Sequence, residues 1–308
     1  MKFSSSAFAR VNSDSVVALG CFDGVHIGHS QIISSAVELA REASLTSVAW
    51  SFQAPPKSIL SGQGAVSLLT TVNEKKSLMR ALGVDVFICS LFNKKIASLS
   101  PREFFENILI DRLHAKHIFC GFNYRFGNKG SGDILLLQSL CDEFGVELTV
   151  VDEIKLDGIT VSSSAIRAYL QGGELDEAEK MLGRPFALKG RVKDGQHLGR
   201  ELGFPTVNQD VPSDKISVRS GVYLTRVKFG KNTKYGVTNI GMRPTVNGTA
   251  PVCETHILDF SGNLYGRMIT VEFVKFLRPE RKFESLDELA AQVKRDIAYA
   301  KTMAENMI

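Results

Sequence analysis

Residues 16–40, VVALGCFDGVHIGHSQIISSAVELA, decide the fold. Val16 to Leu19 make a short apolar run suited to a strand covered on both faces. From Ser30 to Glu42 the apolar residues Ile32, Ile33, Ala36, Val37, Leu39 and Ala40 recur at helical spacing. The loop between them holds Gly20, Gly24 and Gly28, which let backbone approach a ligand closely, and His26 and His29, which straddle the predicted helix start. A helix start offers unpaired N–H groups and a partial positive charge, so phosphate is its natural ligand, and two imidazoles add donors for the same anion. The stretch reads as strand, triphosphate-holding loop, helix.

Downstream of it, strand and helix patterns alternate. Strands are expected near Ser47–Phe52, Asp85–Ser90, His117–Cys120 and Glu147–Val151, and helices near Asn73–Leu82, from Ser100 and Pro101 to about Arg112, and near Asp133–Phe144. Such alternation means βαβ units in a parallel sheet, with ligands at the carboxyl ends of the strands. Two helical pieces, Ser164–Gln171 and Leu175–Leu182, are separated by Gly172 and Gly173. From Phe186 the texture changes to FALKGRV, GVYLTRVKF, KYGVTNIG, CETHILDF and MITVEFVKFL, closed by an amphipathic helix over Leu286–Met303. That is the pattern of a small antiparallel barrel or sandwich with a terminal helix. A chain of 308 residues favours two domains. We place the boundary near Gly183–Pro185, giving domains 1–184 and 185–308.

Composition narrows the class. Apolar residues make up 44% and charged residues 23%, as in soluble proteins, and the net charge of +4 is not gathered into a long basic run. A nucleic-acid surface is not indicated, whereas anionic small molecules are compatible. Cys21, Cys89, Cys120, Cys141 and Cys253 are scattered, odd in number and without a CxxC pair, which argues against a disulfide framework or a structural zinc site. No apolar run reaches the ~18 residues of a membrane span or forms a secretory signal, so the chain is expected in the cytoplasm, with no membrane partner. A homo-oligomer is left open.

The ordered motifs GCFDGVHIGH, TTVNEKK, LSPREFF, GFNYRFG, VSSSAIR, GRELGFPTVN, GVY, NIGMRPTV, ETHILDF, LYG and LRPE span nearly the whole chain. Together they resemble the bacterial bifunctional riboflavin kinase/FMN adenylyltransferase (FAD synthetase) family. The resemblance implies a Rossmann-like nucleotidylyltransferase domain with a parallel sheet, then a riboflavin kinase β-barrel with a C-terminal helix. It also implies ATP as co-substrate, riboflavin and FMN as substrates, and Mg²⁺.

By that resemblance His26 and His29 contact ATP phosphates and stabilise charge on the leaving pyrophosphate, while Phe22, Asp23 and Gly24 shape the nucleotide pocket. Ser162, Ser163 and Ser164 stand at a predicted helix start, and the planar guanidinium of Arg167 suits phosphate oxygens. Asn123 in GFNYRFG is the polar contact at the FMN adenylylation site, and at least one ring of Phe122, Tyr124 and Phe126 is expected in the core. In the second domain Glu254 resembles the family's catalytic base, and Thr206 and Asn208 match the residues that meet Mg²⁺ and ATP phosphates. Gly190, Gly195, Gly199 and Gly203 suit a flexible phosphate cover.

Two departures stand out. SFQAPPKSIL has Pro56 where the family carries a His, and Ala54 where it carries a proline, so that histidine's role has no counterpart here. Asp194 stands where His is frequent and receives no role. HxGH also occurs in class I aminoacyl-tRNA synthetases, but a KMSKS-like string is missing. A flavin-binding protein with decayed activity and a nucleotidylyltransferase with another acceptor remain as alternatives, against which His26, His29, Arg167, Thr206, Asn208 and Glu254 occur together.

Overall fold

The computed structural model describes residues 1–56, 67–194, 199, 202–245 and 248–307. The chain divides into two compact units, Met1–Ser163 and Ser164–Ile308.

In the first unit, β1 (Lys2–Ser4), β2 (Ser15–Leu19), β3 (Thr46–Phe52), β4 (Val86–Ser90), β5 (Ala115–Gly121) and β6 (Glu147–Val151) form one sheet in the order β1-β4-β3-β2-β5-β6. Every pairing is parallel, and after β6 two short strands, β7 (Lys155–Leu156) and β8 (Ile159–Thr160), pair antiparallel. β2 is buried at all five positions, as a doubly covered strand must be. One face of the sheet packs Val16, Ala18, Phe87 and Cys89 against Ile33, Ala36 and Val37 of helix α1 (Ile27–Glu42). The other packs Val17, Leu19, Trp50 and Ile118 against Phe104, Ile108 and Leu137.

The chain runs leftward from β2 to β3 and β4, then returns to place β5 on the other side of β2. The order therefore reverses between β2 and β5, and ligands of open α/β sheets bind in the crevice at such a reversal. The loops after β2 and after β5 hold the GCFDGVHIGH and GFNYRFG motifs, so topology brings both to one crevice.

The helix expected after Ser100 starts there, with a capping box between Ser100 and Glu103, but only Pro101–Phe104 is α-helical. Phe105–Ile110 continues as a π-helical turn.

In the second unit, β9 (Ala187–Arg191), β10 (Val207–Asp210), β11 (Gly221–Phe229), β12 (Asn232–Thr245), β13 (Gly248–Ile257) and β14 (Met268–Pro279) pair antiparallel in the order β10-β13-β12-β11-β14-β9. The edges nearly meet, because Lys193 bridges to Asn208 and Gln209 Nε2 donates to the Gly190 carbonyl at 3.0 Å. Tyr223, Thr225, Val227, Cys253, Thr255 and Phe273 on one face of these strands are fully buried. The opposite face carries Val222, Leu224 and Val237 against Ala300 and Ala304 of the C-terminal helix Leu286–Glu305.

Helices Ser163–Gly172 and Leu175–Leu182 group with the barrel, where Asp176 accepts a hydrogen bond from Lys275 of β14 at 2.6 Å.

Candidate functional sites

The first site grows from the turn after β2. Phe22 (φ 47°) and Val25 (φ 41°) both adopt left-handed backbone, a strained state for bulky residues that persists only when the surroundings over-determine it. Between them Gly24, at φ 85°, takes that region without penalty. The buried Asp23 carboxylate fixes the turn: Leu69 N–H donates to Oδ1 at 3.0 Å and Thr70 N–H donates to it at 3.1 Å. Thr70 Oγ1 accepts from Gly24 N–H at 2.9 Å, and Ser163 Oγ donates to the Asp23 carbonyl at 2.8 Å. Asp23 therefore shapes the pocket through the backbone it holds, its carboxylate being turned inward. A Cβ on Gly20 would lie 2.5 Å from the Phe22 ring, so this ring packs only over a glycine.

His26 caps α1, its Nδ1 accepting from His29 N–H at 3.3 Å. The two imidazoles stack 3.6 Å apart at 17°, and Phe22 meets His29 edge-on at 5.4 Å. His29 Nδ1 is buried without a hydrogen-bond partner among the described residues. Burial, then His26, then Lys75 hold the His29 pKa well below the ordinary histidine value. Such an imidazole is neutral near pH 7 and gains from an anion that supplies the missing partner.

At the neighbouring strand end Asn123 and Phe122 are exposed, Phe126 joins the core, and Tyr124 packs against that core. Burial pushes the Tyr124 phenol well above its ordinary range. Ser162 precedes the helix Ser163–Gly172, on which Ser164 and Arg167 lie, so the serines flank a helix start as expected. Lys57–Leu60 of SFQAPPKSIL and Gly195 of the glycine-rich segment lie outside the described residues.

Lys75 is the residue that sequence reasoning missed in this half. It is 1% exposed, and its Nζ donates to the carbonyls of Cys21 at 2.9 Å and Phe52 at 2.8 Å. The available signal was a lysine in the first turn of a helix, where the helix dipole disfavours a cation.

The second site lies on the barrel face beneath the C-terminal helix. Register pairs Asn208 with Glu254, Glu254 with Asn239, Asn239 with Val222, and Val222 with Arg278. This single cross-strand row runs over five strands, and all its members line a cavity of about 320 Å³. Thr206 joins them from the segment just before β10. Asn208 Oδ1 is buried and has no hydrogen-bond partner among the described residues. His256 lines the same cavity, with its Nδ1 2.9 Å from the Pro205 carbonyl, and so ties down the segment that carries Thr206.

Behind the row, the hydroxyls of Thr225, Thr238 and Thr255 form a buried chain at 2.7 and 2.8 Å. At its far end Arg278 grips Asp296 of the C-terminal helix through Nε at 3.0 Å and Nη2 at 2.7 Å, and Gln292 Nε2 donates to the same carboxylate at 2.8 Å. Among the described residues no group of three or more His, Cys, Asp or Glu side chains is arranged to hold a metal. An orphaned amide oxygen beside a threonine hydroxyl is instead a hard-oxygen donor set suited to Mg²⁺, which keeps most of its waters.

Comparison with known proteins agrees with this division. A family model described as FAD synthetase matches residues 8–165, and one described as riboflavin kinase matches residues 182–304. The crystal structure of a macrolide-efflux protein from Streptococcus pneumoniae, 29% identical, superposes with a TM-score of 0.86 over 97% of this chain and 98% of that one. No helix among the described residues is long and apolar enough to cross a membrane. Fold and family models together define an ATP-dependent transferase with an FAD synthetase part and a riboflavin kinase part. The bifunctional riboflavin kinase/FMN adenylyltransferases of Escherichia coli K12 (39% identical over 91% of this chain and 90% of that protein) and Pseudomonas fluorescens (37% over 94% and 93%) align from end to end. The chain belongs to that family, and it phosphorylates riboflavin to FMN and adenylylates FMN to FAD.

Proposed function

We propose that the two reactions divide between residues 1–184 and 185–308, adenylyl transfer using the loop after β2 and phosphorylation using the cross-strand row of the barrel. The observation that carries this reading is the buried, unpartnered Asn208 Oδ1 in register with Glu254: a vacant acceptor beside a carboxylate, within one cavity.

In the kinase half the acceptor is the terminal ribityl hydroxyl of riboflavin, a neutral alcohol. Glu254 takes its proton as the oxygen bonds to the γ-phosphorus of ATP and the bond to ADP breaks. Thr206 and Asn208 would hold Mg²⁺, which would supply charge neutralisation on the phosphates. Asn239 and the His256-tethered segment keep these groups facing the cavity.

In the other half the FMN phosphate is already ionised, so no base is needed. Its oxygen bonds to the α-phosphorus of ATP, the bond between the α- and β-phosphates breaks, and pyrophosphate leaves. Catalysis is then positioning and charge stabilisation. His26 and His29 meet the phosphates over the start of α1, Phe22, Asp23 and Gly24 give the pocket its shape, and Asn123 contacts the flavin substrate at the adjoining strand end. Ser163 secures the Asp23 carbonyl. Ser162, Ser164 and Arg167 are assigned to the nucleotide by family resemblance. The protein works in the cytoplasm on small molecules, with a homo-oligomer compatible with this chemistry.

The test is one time course of FMN and FAD from riboflavin, ATP and Mg²⁺, run with wild type, Glu254→Gln and His29→Asn. Glu254→Gln must lose the first product and convert added FMN normally, and His29→Asn must do the reverse. Proportional loss of both products in both folded variants rules out two independent centres.

A further inference from the structure

The cation beneath the phosphate loop has no paired carboxylate among the described residues. Lys75 is 1% exposed and occupies the fourth position of helix α2 (Val72–Ala81), whose capping box pairs Thr71 with Glu74. The helix dipole there opposes a cation, and burying an ammonium without a paired anion costs several kcal/mol. Among the described residues no carboxylate pairs with its Nζ, which donates to two backbone carbonyls. The buried Asp23 is committed to the backbone of Leu69 and Thr70. A group so unfavourably placed needs a compensating partner, and what lies beside it is an anion-binding loop.

Its two contacts explain the geometry of that loop. The Cys21 carbonyl takes hydrogen bonds from both Lys75 Nζ at 2.9 Å and Ser51 Oγ at 2.7 Å. Cys21 immediately precedes Phe22, the first left-handed residue of the strained turn. The Phe52 carbonyl closes β3, so Lys75 links the carboxyl ends of β2 and β3 at the crevice where the ligand binds. Its charge also reaches the His29 imidazole, which is influenced besides by His26 on its own helix.

We infer that Lys75 is a positioning residue for adenylyl transfer: its buried ammonium holds the turn Gly20–His26 in the shape that accepts phosphate and supplies a fixed positive charge that the bound anion completes. This rests on the reading that the loop after β2 holds the ATP phosphates.

The test uses the full-length protein with Lys75→Met and Lys75→Arg, and compares kcat and KM for ATP in FMN adenylylation with riboflavin phosphorylation as internal control. Lys75→Met is expected to lower kcat/KM for adenylylation about 10²-fold, the usual consequence of misplacing a reacting group, with the kinase unchanged. Loss of the positive charge raises the His29 pKa, so the acid limb of the adenylylation pH profile moves to higher pH. Lys75→Arg keeps the charge and should keep that limb in place even where kcat falls, which covers the case in which Lys75→Met fails to fold. Adenylylation near wild type in folded Lys75→Met, parallel loss of both activities, or an acid limb shifted equally by Lys75→Arg each overturns the inference. His29→Asn in the same assay separates the two levels: full FAD formation by that variant removes the underlying reading, whereas its loss alongside an inert Lys75→Met removes this inference alone.

Discussion

Asn208 and Glu254 stand opposite each other on β10 and β13, and the antiparallel ladder, rather than a loop, sets their separation. Directly paired side chains on one sheet face lie ~5 Å apart at Cβ, close enough to act on one phosphate and the hydroxyl attacking it. Glu254 thus sits on a rigid element with its partner fixed by register. Replacing it with Gln keeps the shape and removes the proposed base, so FMN formation should fall by ~10²- to 10⁴-fold. FAD formation from added FMN should be unchanged, as chromatography of both products will establish.

Asn208 offers a second prediction, because its orphaned oxygen is a cost to the fold. A buried unsatisfied polar group is worth ~1–3 kcal/mol against stability. Asn208→Leu removes it at similar volume, so the variant should be as stable as wild type or more stable in urea unfolding. Its kinase activity should collapse and its Mg²⁺ requirement rise. A variant destabilised by several kcal/mol would mean that the side chain is structural instead.

The depressed His29 pKa predicts a pH-dependent stability. Below the unfolded pKa of about 6.5 the unfolded chain binds a proton that the folded imidazole, desolvated and next to His26 and Lys75, resists. The unfolded state then holds more protons, so this contribution is intact above about pH 6.5 and is lost as pH falls through the lower folded pKa. Urea midpoints measured from pH 7.5 downward should decline, and His29→Gln should flatten that part of the decline.

The sequence exposed whatever is local. The run Val16–Leu19 and the histidines after it mark β2, its loop and α1, because doubly covered strands and helix starts leave short-range patterns. β10 was hidden: in FPTVN the alternation of cavity-facing and barrel-facing residues passes through Thr206 and Asn208, whose polarity suggests a turn. β1 has only three residues, and its pairing with β4 lies more than eighty positions away. The clamp of Asp23 on Leu69 and Thr70 spans 46 residues, and no spacing rule connects them. Lys75 reads as one more charge on a polar helix until tertiary packing closes over it. Chemistry-bearing residue types were therefore legible, while the groups that brace them were set by long-range contacts.

The Arg278–Asp296 pair yields the last prediction. It joins the end of the site row to the C-terminal helix, with side chains 19% and 8% exposed. Removing one partner of a buried pair leaves an uncompensated charge, which costs ~3–5 kcal/mol. Asp296→Ala should show that loss in denaturant unfolding, at the lower end because Arg278 keeps some water contact. It should also impair FMN formation, since the freed guanidinium lines the cavity. Replacing both partners with apolar residues, Arg278→Met with Asp296→Leu, takes away the two desolvated charges together and should recover most of the stability. Kinase activity should not return with it if the pair also shapes the cavity. Recovery of both would reduce the pair to a fastening for the helix.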